Sequence, residues 1–266
     1  MDETYGYMWE CPNLDKLENK YLFIISSEGW FNEKDKYELN NSRNVVYTSI
    51  EKLDFENKTI NEDYKMKTMD FGHDFYAPQT FVVNNKLALI AWLGAVDVQY
   101  PTDRYSWHSI LTIPRELSWN NEVLVQKPLK EFCDNVIYNT QKLKTNKVQA
   151  KFSKHLKFNL DSNSKMKIVN EEKEEISLTF TEEEICFDRT NQGEKVDWNY
   201  ETPRYAKRKL KNQIIEIFID SSSIEIFADD YSTIFTSRFF VKNWNEINFD
   251  KEIEIEVSDI REIKEF

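Results

Sequence analysis

Pro12-Asn13-Leu14-Asp15-Lys16-Leu17-Glu18-Asn19-Lys20-Tyr21-Leu22-Phe23-Ile24 returns 66 residues later as Pro78-Gln79-Thr80-Phe81-Val82-Val83-Asn84-Asn85-Lys86-Leu87-Ala88-Leu89-Ile90. Each copy starts at a proline, turns at Asn-Lys and comes back as an apolar run. A turn of that kind between two short β-prone runs reads as an antiparallel hairpin. Two hairpins at a fixed spacing have two readings: unrelated pieces of one all-β chain, or successive units of a radial array. Radially repeated four-stranded units of about this size are propeller blades.

The rest of the first half agrees with a chain of strands. Strand-like runs fall at 21–25, 44–50, 79–83, 87–93, 109–113 and 122–126, separated by Asn, Asp, Lys and Gly clusters, and no helical period precedes residue 128. From about 127 to 151 the pattern loosens into a polar run, where a domain boundary belongs and 130–142 reads as a short helix. Strands resume at 156–160, 165–169, 176–180, 185–188, 214–219, 224–228, 233–240 and 253–257. Many alternate, as Glu252, Glu254 and Glu256 do against Ile253, Ile255 and Val257. Alternation means one buried and one wet face, and several such strands suggest a sandwich. The expected architecture is all-β.

Composition narrows the function. With 35 basic against 47 acidic side chains, the net charge of −12 argues against a nucleic-acid or anionic-membrane partner. Cys11, Cys133 and Cys186 stand at no metal or disulfide spacing and read as reduced thiols, which points to a cytoplasmic protein. The first twenty residues hold no apolar signal core, and no run is long enough to span a bilayer. His73 and His108 have no partners spaced for a metal site or a triad.

One carboxylate stands out. In Tyr7-Met8-Trp9-Glu10-Cys11-Pro12, Glu10 lies between an indole, a thiol and a proline, surroundings that can hold a glutamate protonated near neutral pH. A protonated glutamate is a general acid; the plainer reading is a carboxylate at the exposed end of a strand.

Taken in order, five stretches carry a resemblance. They are Met8-Trp9-Glu10-Cys11-Pro12, then Asp70-Phe71-Gly72-His73-Asp74-Phe75-Tyr76-Ala77-Pro78-Gln79, Ala91-Trp92-Leu93-Gly94, Tyr100-Pro101-Thr102 and Leu111-Thr112-Ile113-Pro114-Arg115-Glu116-Leu117. Together they closely resemble glycoside hydrolase family 32, the invertases, sucrose-6-phosphate hydrolases and fructan hydrolases. Ile217 to Phe227 resembles the family's carboxy-terminal sandwich. The turn Asp229-Asp230-Tyr231 departs from the glycine often found there, at a hairpin remote from the chemistry.

The resemblance implies a five-bladed propeller with a central active funnel, packed on a β-sandwich, that cleaves β-fructofuranosides with retention and needs no metal or cofactor. On that pattern residues 1–128 are the last two blades, 129–150 a linker and 151–266 the sandwich. Retention uses two carboxyl groups about 5–5.5 Å apart, a nucleophile and an acid that then acts as base. Glu10 matches the acid/base. Cys11 beside it either tunes the acid or only packs. Substrate contact falls to Trp9, Asp70, Asp74, Tyr76 and Trp92. For Asp74 the alternative is a turn cap beside Gly72, and for Trp92 it is core packing. Arg115 is expected in a structural ion pair.

The family's nucleophile stretch, Trp-Met-Asn-Asp-Pro-Asn-Gly, and its Arg-Asp-Pro stretch are absent from this sequence. Asp197-Trp198-Asn199 and Asp103-Arg104 share letters with them but neither order nor position. The expected function is therefore the acid/base half of a retaining β-fructofuranosidase acting on sucrose, sucrose 6-phosphate or fructan. The alternative is an inactive truncated protein serving as a carbohydrate-binding or interaction module. The expected partners are a fructoside, and either an amino-terminal half or a second copy at the open propeller edge.

Overall fold

A computed structural model describes residues 5–32, 34–60, 64–96, 98–150, 153–160, 163–196, 200–211 and 213–262. The chain is all-β. The first sheet contains β1 (Met8–Leu17), β2 (Lys20–Glu28) and β3 (Arg43–Ile50). After a small ribbon of β4 (Leu53–Asp54) and β5 (Thr59–Ile60), β6 (Lys67–Thr68) completes it in the order β1-β2-β3-β6. The second sheet holds β7 (Tyr76–Val83), β8 (Lys86–Leu93), β9 (Ile110–Leu111), β10 (Arg115–Asn120) and β11 (Val123–Pro128), in the order β7-β8-β10-β11 with β9 beside β8.

The 66-residue spacing is a structural repeat. In β1–β2, Glu10 pairs with Ser26 and Asn13 with Ile24; in β7–β8, Tyr76 pairs with Trp92 and Gln79 with Ile90. Every one of those positions maps onto its counterpart by the same offset. Both strands break register at that point, because Cys11-Pro12 and Ala77-Pro78 each set two residues against one, a β-bulge. The backbone pays in the same way at both, with φ 45° at Cys11 and 47° at Ala77, values uncommon for residues other than glycine. Leu22, Ile24, Val45 and Tyr47 of the first sheet pack on Leu87, Leu89, Leu117 and Leu124 of the second, making one aliphatic core between them.

Helix α1 (Lys130–Val136) leads into β12 (Ile137–Gln149), then β13 (Lys154–Leu160), β14 (Ser164–Val169), β15 (Glu175–Phe180) and β16 (Glu184–Asp188). They are followed by β17 (Arg204–Lys207), β18 (Gln213–Ile219), β19 (Ser223–Ala228), β20 (Thr233–Arg238) and β21 (Glu246–Ile260). These strands form one hydrogen-bonded sheet of ten. Its alternating apolar positions, among them Leu156, Ile168, Leu178, Ile217, Ile226 and Ile255, meet in the largest core of the molecule.

The segment expected as a loose connection differs from expectation. The helix stops at Val136, and 137–149 is a strand paired along most of β21. It reads as polar because it is nearly all exposed, with Val148 its one buried residue, so neither face carries an apolar period.

Segment 70–75 ties the second sheet to the large one. It runs along β20, the end strand of the main strand order. The Phe71 and Asp74 amides donate to Ile234 O and Thr236 O at 2.7 and 3.0 Å, and the Thr236 amide donates back to Asp70 Oδ1 at 2.9 Å. An edge that would otherwise present bare peptide groups is thereby covered.

Candidate active site

The bulge at Cys11-Pro12 sets the aim of Glu10. β1 and β7 are the edge strands of their sheets and lie side by side, so Glu10 and Tyr76, equivalent in the repeat, approach each other. The Tyr76 hydroxyl donates to Glu10 Oε2 at 2.7 Å. Burial first, and then the bond to Glu10, push the Tyr76 phenol well above its usual range, so it stays a proton donor. Burial and the neighbouring Glu10 charge push the Cys11 thiol up as well, which leaves it a protonated, weakly polar neighbour rather than a nucleophile.

Asn13 holds the bulge and joins the sheets. Its Nδ2 donates to Cys11 O and Pro78 O, both at 2.9 Å, while its Oδ1 accepts from the Thr80 amide and hydroxyl at 3.1 and 3.0 Å. Three of these four bonds cross from β1 to β7, and the fourth closes on the bulge itself. The backbone around Glu10 is thus preorganised by buried hydrogen bonds.

Trp92 extends the wall. Its ring meets Tyr76 edge-on with centroids 6.4 Å apart, and His108 at 6.3 Å on another side. The indole is half-buried, and its Nε1 has no hydrogen-bond partner among the described residues. A β-carbon on Gly94 would lie 2.3 Å from that nitrogen, so glycine there is what lets the indole sit against the strand. His108 Nδ1 is 2.8 Å from Asp103 Oδ1, with its ring exposed at the rim.

Glu10, Cys11, Tyr76 and Trp92 are therefore brought together, and Trp9 is not. Successive strand residues point to opposite faces, and Trp9 turns to the other side of the first sheet, against Tyr5 and Phe23.

Asp70 and Asp74 lie elsewhere, with their carboxylates turned into a buried interface. Asp74 is fully buried: Tyr100 OH donates to one carboxylate oxygen, and Arg189 Nη1 and the Arg238 amide donate to the other at 2.8 and 2.7 Å. Asp70 Oδ1 caps the turn by accepting from the Gly72 amide at 2.9 Å, and its Oδ2 meets Arg115 at 3.1 Å. Arg115, with no exposed surface, also pairs with Glu225 at 2.7 Å, as a structural ion pair. Between the aspartates, His73 is buried against Ser237 and Thr202 O. Burial, then the Arg189 and Arg204 charges, hold its ring neutral, well below the usual range. The motif thus joins the small sheets to the large one.

Arg189, Arg238 and Asn13 were not visible as partners in the sequence. The two arginines lie more than a hundred residues from Asp74, and no local pattern marks them. Asp197-Trp198-Asn199 lies outside the described residues, and Asp103 and Arg104 are engaged with His108 and Glu194. Among the described residues, no three His, Cys, Asp or Glu side chains converge as metal ligands, and no helix is long and apolar enough to cross a membrane.

Known proteins place this geometry. The chain matches the model described as glycosyl hydrolases family 32 N-terminal domain over residues 1–128, and that described as glycosyl hydrolases family 32 C terminal over 124–263. Sucrose-6-phosphate hydrolase of Vibrio alginolyticus is 30% identical over 251 residues, covering 91% of this chain and 50% of that protein. Its counterpart in Staphylococcus xylosus is 28% identical over 262 residues, covering 90% and 50%. The chain spans about half the length of the curated relatives it matches. Among solved structures, sucrose-6-phosphate hydrolase from Lactobacillus gasseri superposes with a TM-score of 0.87 at 24% identity, over 97% of this chain and 55% of that one. A Bombyx mori family 32 β-fructofuranosidase, which has also been solved as a mutant in complex with sucrose, gives 0.81 at 24% identity, over 98% and 56%.

Proposed function

The chain belongs to glycosyl hydrolase family 32, and from that premise we propose that it supplies the acid/base half of a retaining β-fructofuranoside hydrolase. Glu10 is the acid that protonates the leaving sugar's oxygen and then, as base, draws the proton from the attacking water. The nucleophilic carboxylate comes from outside this chain, since a lone acid forms no glycosyl-enzyme intermediate. The observation that carries the reading is the Tyr76 hydrogen bond to Glu10 at the junction of the two edge strands. It holds one carboxylate oxygen and leaves Oε1 with no partner among the described residues.

In this reading the two small sheets are the last two blades of a five-bladed propeller, residues 1–128, and residues 151–266, joined by the strand at 137–149, are the sandwich. The crossing from one to the other is confined to 129–136. Trp92 lines the sugar side of the funnel, and Cys11 keeps the space beside the acid apolar. The substrate is a sucrose-type fructoside, in line with the hydrolases the chain is similar to. Three thiols free of disulfides support a location inside the cell.

The test is complementation. The chain is mixed with a separately produced amino-terminal half of a family 32 hydrolase, and fructose release from sucrose and sucrose 6-phosphate is measured. Restored activity that falls roughly 10²–10⁴-fold on Glu10→Gln supports the assignment. Restored activity indifferent to Glu10→Gln removes Glu10 from the chemistry.

A further inference from the structure

His108 is held through its backbone, one ring nitrogen and part of its ring. It follows a short 3-10 helix, Pro101–Tyr105, in which one oxygen of the Asp103 carboxylate accepts from the Tyr100 amide at 3.0 Å. The other oxygen lies 2.8 Å from His108 Nδ1. An ionised carboxylate can only accept, so the proton of the neutral ring sits on Nδ1 and Nε2 is left as a bare acceptor. Behind the ring, His108 O accepts from Arg238 Nη1 at 2.9 Å, and Arg238 has no exposed surface. Tyr100 meets the imidazole edge-on with centroids 5.1 Å apart, and Trp92 meets it at 6.3 Å. Nε2 has no hydrogen-bond partner among the described residues, and the side chain is 41% exposed.

That nitrogen stands on the wall that carries Glu10. Tyr76 donates to Glu10, Trp92 meets Tyr76 and His108 meets Trp92, three successive contacts. Both flanks of His108 belong to this chain: Trp92 comes from the second small sheet and Arg238 from the end of β20 in the large one. An aromatic wall takes the apolar face of a sugar, and a few fixed polar groups beside it set the sugar's orientation. Beside Trp92, His108 is such a group.

The charge next to the ring decides what Nε2 can take. Asp103 neutralises even a protonated imidazole, and a phosphate at Nε2 would approach that carboxylate against like-charge repulsion. Arg104, the cation of the same helix, is engaged with Glu194. A hydroxyl fits: it donates to the bare acceptor and brings no charge.

Taking Trp92 as the sugar side of a fructosidase funnel, we propose that His108 is a substrate-binding residue whose Nε2 accepts a hydroxyl of the sugar lying against that indole. It recognises this hydroxyl alike in sucrose and in sucrose 6-phosphate.

The test is steady-state kinetics of the complemented enzyme with three replacements at one position. His108→Ala is expected to raise KM for sucrose and for sucrose 6-phosphate alike by roughly 3–10-fold with kcat nearly constant, the worth of one neutral hydrogen bond. A Gln amide reaches where Nε2 stands and an Asn amide where Nδ1 stands, so His108→Gln is expected to recover most of the loss and His108→Asn to recover little. A side chain that serves only to pair with Asp103 would show the reverse. An unchanged KM in His108→Ala, recovery by Asn instead of Gln, or a loss confined to sucrose 6-phosphate, which would make Nε2 a phosphate contact, each overturns the proposal. Glu10→Gln acts on kcat, so a failed acid assignment leaves the KM series readable. Should mixing restore no activity, NMR of the full chain alone decides. His73 and His155 are buried, so the exposed His108 imidazole is read apart from them and assigned by its absence in His108→Gln. Its signal is expected to shift with added sucrose and to stay in place with glycerol at the same concentration; a signal unmoved in concentrated sucrose overturns the proposal.

Discussion

Tyr76 donates a hydrogen bond of 2.7 Å to Glu10, and the two residues occupy the same position in successive copies of a 66-residue repeat. The position after each is a bulge with positive φ followed by proline. One backbone device therefore presents a carboxyl group from one sheet and a phenol from the next to the same point. A hydrogen bond to a charged group is worth about 1.5–3 kcal/mol, or roughly 10–100-fold in rate when it acts on the transition state. Tyr76→Phe keeps the ring against Trp92 and removes only the hydroxyl. In the complemented enzyme, kcat is expected to fall by that factor with KM nearly constant. A raised KM at unchanged kcat would instead make Tyr76 a sugar contact.

Asp74 and Arg189 form an ion pair at 2.8 Å in which neither side chain has exposed surface. Removing one partner strands the other charge in a dry interface, which costs about 3–5 kcal/mol. Asp74→Ala is expected to lower the urea midpoint accordingly, and the double variant with Arg189→Ala to lose less than the sum of the two single losses. A variant of unchanged stability whose binding to fructosides is weakened would return Asp74 to the sugar.

Legibility in the sequence followed burial. Strands with one apolar face, such as β14 and β16, were visible as alternation, because half of their residues must leave water. β12 was not, since an exposed strand puts no constraint on its side chains, and a polar run between two domains looks like a connection. The acid was legible as part of an ordered set of motifs. The roles of Asp70 and Asp74 were not, because a short acidic motif looks the same whether its charges face a ligand or buried arginines contributed by β10, β20 and the loop after β16. The Tyr76 contact has a signal in the sequence: the offset that sets Pro12 on Pro78 also sets Glu10 on Tyr76.

Gly72 is required by distance rather than by backbone conformation. A β-carbon there would fall 2.0 Å from Thr236 O and 2.3 Å from Thr236 N, both backbone atoms of the strand that segment 70–75 follows. Neither can move without breaking the hydrogen bonds that Asp70 and Asp74 make to β20. Gly72→Ala is expected to cost at least about 1–3 kcal/mol, the range for an overfilled interior, seen as a lower thermal midpoint. An unchanged midpoint would mean that segment 70–75 does not sit on β20.

Glu216 makes the large sheet's stability depend on acid. It accepts from His155 Nε2 at 2.8 Å, Tyr231 OH at 2.7 Å and Lys157 at 3.3 Å. Burial alone would raise its carboxyl; the bonds from His155 and Tyr231, with the Lys157 charge, outweigh that and hold it at about 2, below an ordinary value of 4.5. A carboxyl whose folded value lies below its unfolded one stabilises the fold above the unfolded value, and that stability is lost as pH falls through the folded value. The window is pH 4.5 down to about 2, and the shift corresponds to an upper bound of about 3 kcal/mol. Glu216→Gln is therefore expected to be less stable than wild type at neutral pH, with the gap between the two closing as the pH is lowered through that window. Denaturant midpoints of both proteins at a series of pH values check this, and a gap that stays constant down to pH 2 would show that the charge of Glu216 contributes nothing and only its shape matters.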